Sequence, residues 1–375
     1  MALNPIFGFE LFPSARRAEA LKVIGPGLTG IHATLRNCMR LESVKIVRFH
    51  KIGPPEVLQL DDVPLPEPGY GEVRLRVKAI GLNRSEIHFR QGRYRFSPKL
   101  PSKIGYEASG IVDAIGSGVH PSIVGKTFST VPSFPADEFG VYGEVAVVPA
   151  TAIAEYPAHL SYEEGAAIWM QYLTAYGALV REAGLQKQDF VVITAASSSV
   201  GIAAIEITKN QGAIAIAATR TRAKMAQLLA IGADHVIVTS EEDLVARVKD
   251  ITGGRGARII FDPIGGNGLT ALAEAAGPSA LILEYGIMAD EPTPYPQFIA
   301  LKKHLTIKAY TLFETVANPD QFPAEFAAAK KYVFDHISKR GLRPIISRTF
   351  PLCDVVDAHR YMESNAQVGK IVLTV

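Results

Sequence analysis

The segment from Phe190 to Val236 constrains this chain more than any other. An apolar run, Phe190–Ile193, ends in the small residues Thr194–Ser199, and an apolar helical segment follows at once. A second apolar run, Ala213–Ala218, comes next and ends in Thr219, Arg220, Thr221 and Arg222. Strand, small-residue turn, helix and strand in that order place a dinucleotide pyrophosphate at a helix N-terminus. The usual pattern is G-x-G-x-x-G. Here Ala196, Ser197, Ser198, Ser199, Val200 and Gly201 fill the register, and only the last glycine is kept. Alanine and serine are still small enough for the backbone to approach a phosphate, and serine hydroxyls can donate to it. An ordinary strand–turn–helix has the same outline, so the pattern alone leaves both readings open.

The end of the second strand selects between cofactors. A site for NAD places an acid about twenty residues after the turn, on the ribose 2′-hydroxyl. This chain has Thr219, Arg220 and Arg222 there, with Lys224 two residues on and no nearby carboxylate. Guanidinium groups pair well with an additional phosphate. The expected cofactor is therefore NADPH, against the alternative of a solvated basic patch.

A length of 375 residues suggests about two domains. The formal net charge of +2, with no basic or aromatic stripe, gives no field suited to nucleic acid. The apolar runs are interrupted well short of a membrane span. With only Cys38 and Cys353, neither a disulfide framework nor a thiolate metal site can be read. The composition is that of an intracellular enzyme, expected in the cytoplasm. Residues 1–43 form a distinct extension carrying Arg16, Arg17, Lys22, Arg36 and Arg40. Three readings stay open for it: a poorly ordered tail, a mitochondrial transit peptide, or an upstream extension before a start at Met39.

Alternation in Val73–Ala79, and short β-like runs at 108–115 and 144–148 between Pro/Gly turns, predict a β-rich, barrel-like domain. Near Ser161 the register changes. Ser161 and Glu164 form a capping box opening a helix that is expected to continue through Trp169 to Tyr176. Apolar strands at 190–193, 213–218, 236–238, 258–261 and 280–283 then alternate with helices, which gives a parallel sheet covered on both faces. A long helix is expected over 318–340. The closing run Gly369–Val375 reads as a strand returning to the β-rich domain. The boundaries are 44–160 plus 341–375 for the β-rich catalytic domain and 161–340 for the dinucleotide domain.

Five motifs now carry a resemblance: Gly81–Glu86, Gly105–Val112, Leu173–Gly177, Ala195–Gly201 and Gly232–Val236. Their order resembles the medium-chain dehydrogenase/reductase superfamily over nearly all of Val44–Val375, and within it the zinc-free quinone oxidoreductase and enoyl reductase branch. The resemblance implies an α/β fold: a doubly wound parallel-sheet Rossmann domain plus a discontinuous GroES-like barrel. It also implies a homodimer formed through the edge strand of the nucleotide domain. Where zinc alcohol dehydrogenases carry metal ligands, this chain has Asn83, Tyr106 and Met170. An amide, a phenol and a thioether do not replace thiolates and imidazole around zinc, so no metal is expected.

Without a metal, the chemistry left is hydride delivery to a quinone or to an activated C=C conjugated to a carbonyl. The protein must hold the acceptor and stabilise or protonate the oxygen that gains charge. Enoyl reductases similar to this chain carry a proton-donating tyrosine at the place of Tyr94. A half-buried loop tyrosine is the plainer alternative. Asn83 is expected to orient the nicotinamide amide or the substrate carbonyl, or else simply to cap a turn. Thr174, Gly286 and Ile287 occupy cofactor-facing positions of the superfamily. Tyr172 and Trp169 are candidates for the acceptor pocket, with core packing favoured for Trp169. The loops 96–101 and 131–142 are expected to shape that pocket. Two rival functions share these motifs: a nucleotide-binding accessory protein without turnover, and an enoyl reductase acting in trans on a carrier-bound polyketide.

Overall fold

Each apolar run of the second half becomes a strand because both faces of its sheet are covered. In the computed structural model, which describes residues 43–375, six parallel strands lie side by side. In chain order they are Phe190–Ile193, Ile214–Thr219, His235–Val238, Ala257–Asp262, Ala276–Glu284 and Thr306–Ala309. Their spatial order is third, second, first, fourth, fifth, sixth. The order reverses beside Phe190–Ile193, and a doubly wound sheet binds its ligand at that crevice. The first five strands match the expected runs. The sixth has only Ile307 and Ala309 as apolar residues, and its pattern is mostly exposed. A short edge strand of that kind gives no periodicity to read.

The barrel sheet joins residues from both ends of the chain. Glu72–Gly81 pairs antiparallel with Glu107–Ile115 and with Val145–Pro149. Lys370–Thr374 pairs antiparallel with the end of Glu72–Gly81 and parallel with Ile346–Pro351. The closing run therefore does return to the β-rich sheet. The proposed leader, Met39 and Cys38 fall outside the described residues. Among the described residues no helix is long and apolar enough to cross a membrane.

Two helices differ from expectation. The capping box forms, with Glu164 N donating to Ser161 Oγ at 3.2 Å and Ser161 N to the Glu164 carboxylate at 2.8 Å. Its helix is only Tyr162–Gly165, and a separate helix starts at Trp169. The break is where the barrel strand crosses: a Cβ on Gly81 would sit 2.0 Å from Ala166 O. The long helix is Pro323–Ser338, begun by a proline that is tolerated only in the first turn.

Trp169 and Tyr172 belong to the core and not to a pocket. Trp169 donates to Ser129 Oγ at 2.7 Å, and fully buried Tyr172 donates to Glu206 at 2.7 Å. Burial pushes the Glu206 carboxyl up to about 7.

Candidate active site

A cleft of about 1230 Å³ runs along the sheet crevice and on between the barrel and the dinucleotide strands. At its centre is the small-residue turn. Ala195 takes a left-handed conformation, φ 44°, costly for a residue with a Cβ, so the tightest point lies one residue before Ala196. Ala196 itself is fully buried and does not line the cleft; its N–H donates to Ala218 O at 3.2 Å, stitching the turn to the second strand. Ser198 caps the helix Ser199–Asn210 by accepting from Gly201 N at 3.0 Å. Ser197, Ser198, Ser199 and Val200 line the cleft. Gly201 does not. A Cβ there would lie 2.7 Å from Ala195 O and Ala196 Cα, so this glycine serves close packing of helix on turn.

The four basic-end residues separate into two kinds. Thr219, Arg220 and Lys224 line the cleft, whereas Arg222 lies outside it. Arg222 is exposed and bonded to Glu241 through both Nε and Nη2. Lys224 is half-buried with its N–H groups on Ser197 Oγ (3.1 Å), Asn365 O (2.7 Å) and Gln367 O (3.0 Å). Among the described residues Arg220 has no ion pair and no hydrogen bond. The expectation for Arg222 is thus corrected: its guanidinium is already neutralised on the surface, and Arg220 is the open cation of the wall.

The far end of the cleft holds the other candidates. Thr174 lines it and donates its hydroxyl back to Met170 O at 2.6 Å. Gly286 and Ile287 line it after the fifth strand, and a Cβ on Gly286 would lie 2.5 Å from Pro263 O. Tyr94 lines it too, edge-on to Phe89 and Phe96 at 6.1 and 5.5 Å. Burial pushes the Tyr94 phenol up, and the hydroxyls of Tyr106 and Ser85 offset part of that rise. The loops 96–101 and 131–142 contribute no wall residue; Thr311–Glu314 does instead. Phe313 packs on Tyr106 at 5.3 Å and beneath the Arg95 guanidinium at 4.6 Å.

Asn83 lines the cleft, but its amide is bound at both ends by protein. Nδ2 donates to Gly81 O (3.3 Å) and Glu86 Oε1 (3.2 Å), while Oδ1 accepts from Lys370 Nζ at 2.6 Å. It is a buried structural junction at the start of the helix Arg84–Arg90, which is a correction to its reading as a ligand-orienting group. Glu86, beneath it, accepts from Tyr142 OH at 2.5 Å and Tyr106 N at 3.2 Å, and burial holds its carboxyl up at about 7.

Quinone oxidoreductase 1 of Escherichia coli (strain K12) is 30% identical over 329 residues, 87% of this chain and 98% of that protein. The chain belongs to the zinc-free quinone oxidoreductase branch of the medium-chain dehydrogenase/reductase superfamily. The alcohol dehydrogenase GroES-like domain matches residues 69–158, and the zinc-binding dehydrogenase domain matches residues 199–331. A 2-haloacrylate reductase of Burkholderia sp is 27% identical over 87% of this chain and 97% of its own length. The crystal structure of the Escherichia coli quinone oxidoreductase complexed with NADPH superposes with a TM-score of 0.81, covering 88% of this chain and 100% of that one. Asn83, Tyr106 and Met170 stand where the family resemblance puts the metal ligands of zinc alcohol dehydrogenases, and among the described residues no group of three or more His, Cys, Asp or Glu could hold a metal ion.

Several wall residues of this branch member escaped the sequence reading. Arg84 is largely buried and donates to Met362 O at 2.9 Å and to Asn365 Oδ1. Among the described residues His88 has no partner on either ring nitrogen, and burial beside Arg84 and Arg93 pushes it down to about 4, so it is neutral at pH 7. Asp262, which the sequence order places at the ligand-binding edge after the fourth strand, lies behind the wall, where it accepts from Thr194 Oγ1 and from Gly265 N at 2.7 Å. Glu284 beside it is pushed up, by burial first and then by the Asp262 charge. Arg84 lies inside the motif Gly81–Glu86, whereas Glu284 shows in the sequence only as an acid closing an apolar strand.

Proposed function

We propose that this oxidoreductase is NADPH-dependent and zinc-independent, and that it reduces a quinone or an activated C=C conjugated to a carbonyl. One observation carries the reading. A single cleft runs unbroken from the open cation Arg220, across the serine turn, to the Tyr94, Met170 and Thr174 wall. Its residues fit the cofactor. The first-turn N–H groups of a helix and the serine hydroxyls suit a pyrophosphate, and Arg220 suits an additional phosphate. The group supplies the hydride when bound. The chain's own residues hold it, exclude water along an apolar wall, and keep a phenolic proton at Tyr94. The NADPH complex of the similar Escherichia coli protein supports the cofactor assignment, and the two reductases named above support the acceptor class.

The deciding experiment follows loss of reduced-nicotinamide absorbance after chelator treatment, across quinones, enones, 2-haloacrylates and enoyl thioesters. Turnover that survives the chelator is expected, and the best acceptor names the substrate. Tight NADPH binding with no turnover on any acceptor would favour the accessory-protein reading instead.

Cofactor choice has its own test. Arg220→Ala is expected to weaken NADPH about 10–50-fold, the worth of a charge-assisted hydrogen bond, and NADH less than about twofold. Arg222→Ala is expected to change neither more than about twofold, since it removes only an exposed ion pair. Equal weakening of both cofactors by Arg220→Ala, in isothermal titration, would remove it as the phosphate reader.

The assembly belongs to the same proposal. Among the described residues nothing pairs with the outer edge of Thr306–Ala309, and the preceding helix Gln297–Lys303 exposes Phe298 (78%) and Leu301 (67%). A homodimer across this edge is expected by light scattering, with Phe298→Glu shifting it to monomer.

A further inference from the structure

We propose that Arg93 and Arg95 form an anion subsite at the mouth of the cleft, and that the acceptor carries a carboxylate or phosphate beside its reducible bond. The inference rests on the reductase reading above and narrows the acceptor class. The two arginines flank Tyr94 in the chain, and all three residues line the cleft. Their side chains are 48% and 41% exposed, so a ligand reaches them from solvent.

Arg95 is placed on the cleft by the ring beneath it. Its guanidinium lies 4.6 Å from the Phe313 centroid, and Phe313 is itself a wall residue packed on Tyr106. A ring on one face steadies the plane of the fork and leaves its edges open to a planar anion. Of its five N–H donors one is in use: Nη1 donates to Glu314 Oε1 at 3.2 Å. The others have no acceptor among the described residues. Arg93 repeats the arrangement, with Nη1 donating to Asp290 Oδ1 at 3.2 Å and no other side-chain hydrogen bond among the described residues.

Both ion pairs cross from the loop after Arg84–Arg90 to loops that follow the fifth and sixth strands of the dinucleotide domain. Glu314 and Asp290 are more exposed than the arginines they meet. Exposed pairs of this kind contribute little and are screened by salt, so an incoming anion replaces either acid at small cost. The charge balance points the same way. Wall segments 82–95 and 309–314 bring Arg84, Arg93 and Arg95 to this end against the single carboxylate of Glu314. Arg84 is occupied by Met362 O and Asn365 Oδ1, and Arg220 belongs to the nucleotide end. Two cations are therefore left for the acceptor. A neutral quinone or enone gives them nothing to bind, whereas an acidic acceptor is drawn to the mouth and held by its charged end.

The test is a binding measurement that needs no turnover. 4-Oxocyclohexanecarboxylate and its neutral methyl ester are titrated calorimetrically on the full chain, with saturating NADP+ keeping the probes from Arg220. Wild type is expected to bind the acid about tenfold tighter than the ester, the worth of a charge-assisted hydrogen bond, and to lose most of that ratio in about 0.5 M salt. Arg93→Gln with Arg95→Gln is expected to bring the ratio close to one. Glu314→Gln removes the acid that competes for Arg95 and is expected to raise the ratio about twofold. Pairs that merely staple the cleft would behave otherwise: breaking one from either side would move acid and ester together. That outcome, or equal binding of acid and ester to wild type, would overturn the proposal. Butyryl thioesters of coenzyme A and of N-acetylcysteamine, titrated the same way, identify the anion. A larger ratio than that of acid to ester assigns phosphate, and a smaller one assigns carboxylate. Acid selectivity without turnover on any quinone or enone would sink the reductase reading and leave the subsite standing.

Discussion

Tyr94→Phe is expected to lower turnover about 100-fold or more with the best acceptor while leaving NADPH affinity within about twofold. The argument starts from burial. Tyr94 packs edge-on against Phe89 and Phe96, so its ionised form is disfavoured and the phenol keeps its proton through the working pH range. A group that must deliver a proton late in the reaction has to arrive protonated. Phenylalanine preserves the ring packing and removes only the hydroxyl, so melting temperature is expected to move little. Steady-state kinetics with a saturating quinone or enone, beside titration of NADPH, separates the two quantities. Unchanged turnover on every accepted substrate would assign the proton to water. Tyr106→Phe serves as the companion: it removes a hydroxyl that faces Tyr94 without removing the donor, and a smaller loss of about threefold to tenfold is expected.

The nucleotide domain was legible because its physics is local. Buried strands must be apolar and β-branched, a phosphate turn must be small, and a helix must start with a cap; all three are written in consecutive residues. Ser161 with Glu164 and Ser198 before its helix show this directly. What failed were inferences that depend on a neighbour far away in the chain. The helix from Ser161 ends at Gly165, where the distant strand end at Gly81 passes so close to Ala166 O that only a glycine fits. Arg222 looked like a phosphate ligand until Glu241, at the next strand's end, was found holding it. Asn83 kept its place in the wall but lost its expected task, because Lys370, 287 residues away, occupies its carbonyl. A motif fixes which side chains reach a site, and tertiary pairing decides which of them are left with a vacant donor or charge.

That same distant pairing sets the largest stability effect expected in the molecule. Lys370→Met alone is expected to destabilise the fold by about 3–5 kcal/mol, read as a lower urea midpoint with an unchanged slope. The methionine itself is tolerable in volume, so the cost arises at the partner. Glu107 is 1% exposed, and without the ammonium its carboxylate is left with the Met170 N–H as its hydrogen-bond donor. Asn83 Oδ1 loses its donor at the same time, which loosens the junction that Asn83 forms with Glu86 and Tyr106 N. Adding Glu107→Gln to Lys370→Met removes the orphaned charge while the amide oxygen can still accept from Met170 N. Most of the lost stability should therefore return, to within about 1–2 kcal/mol of wild type.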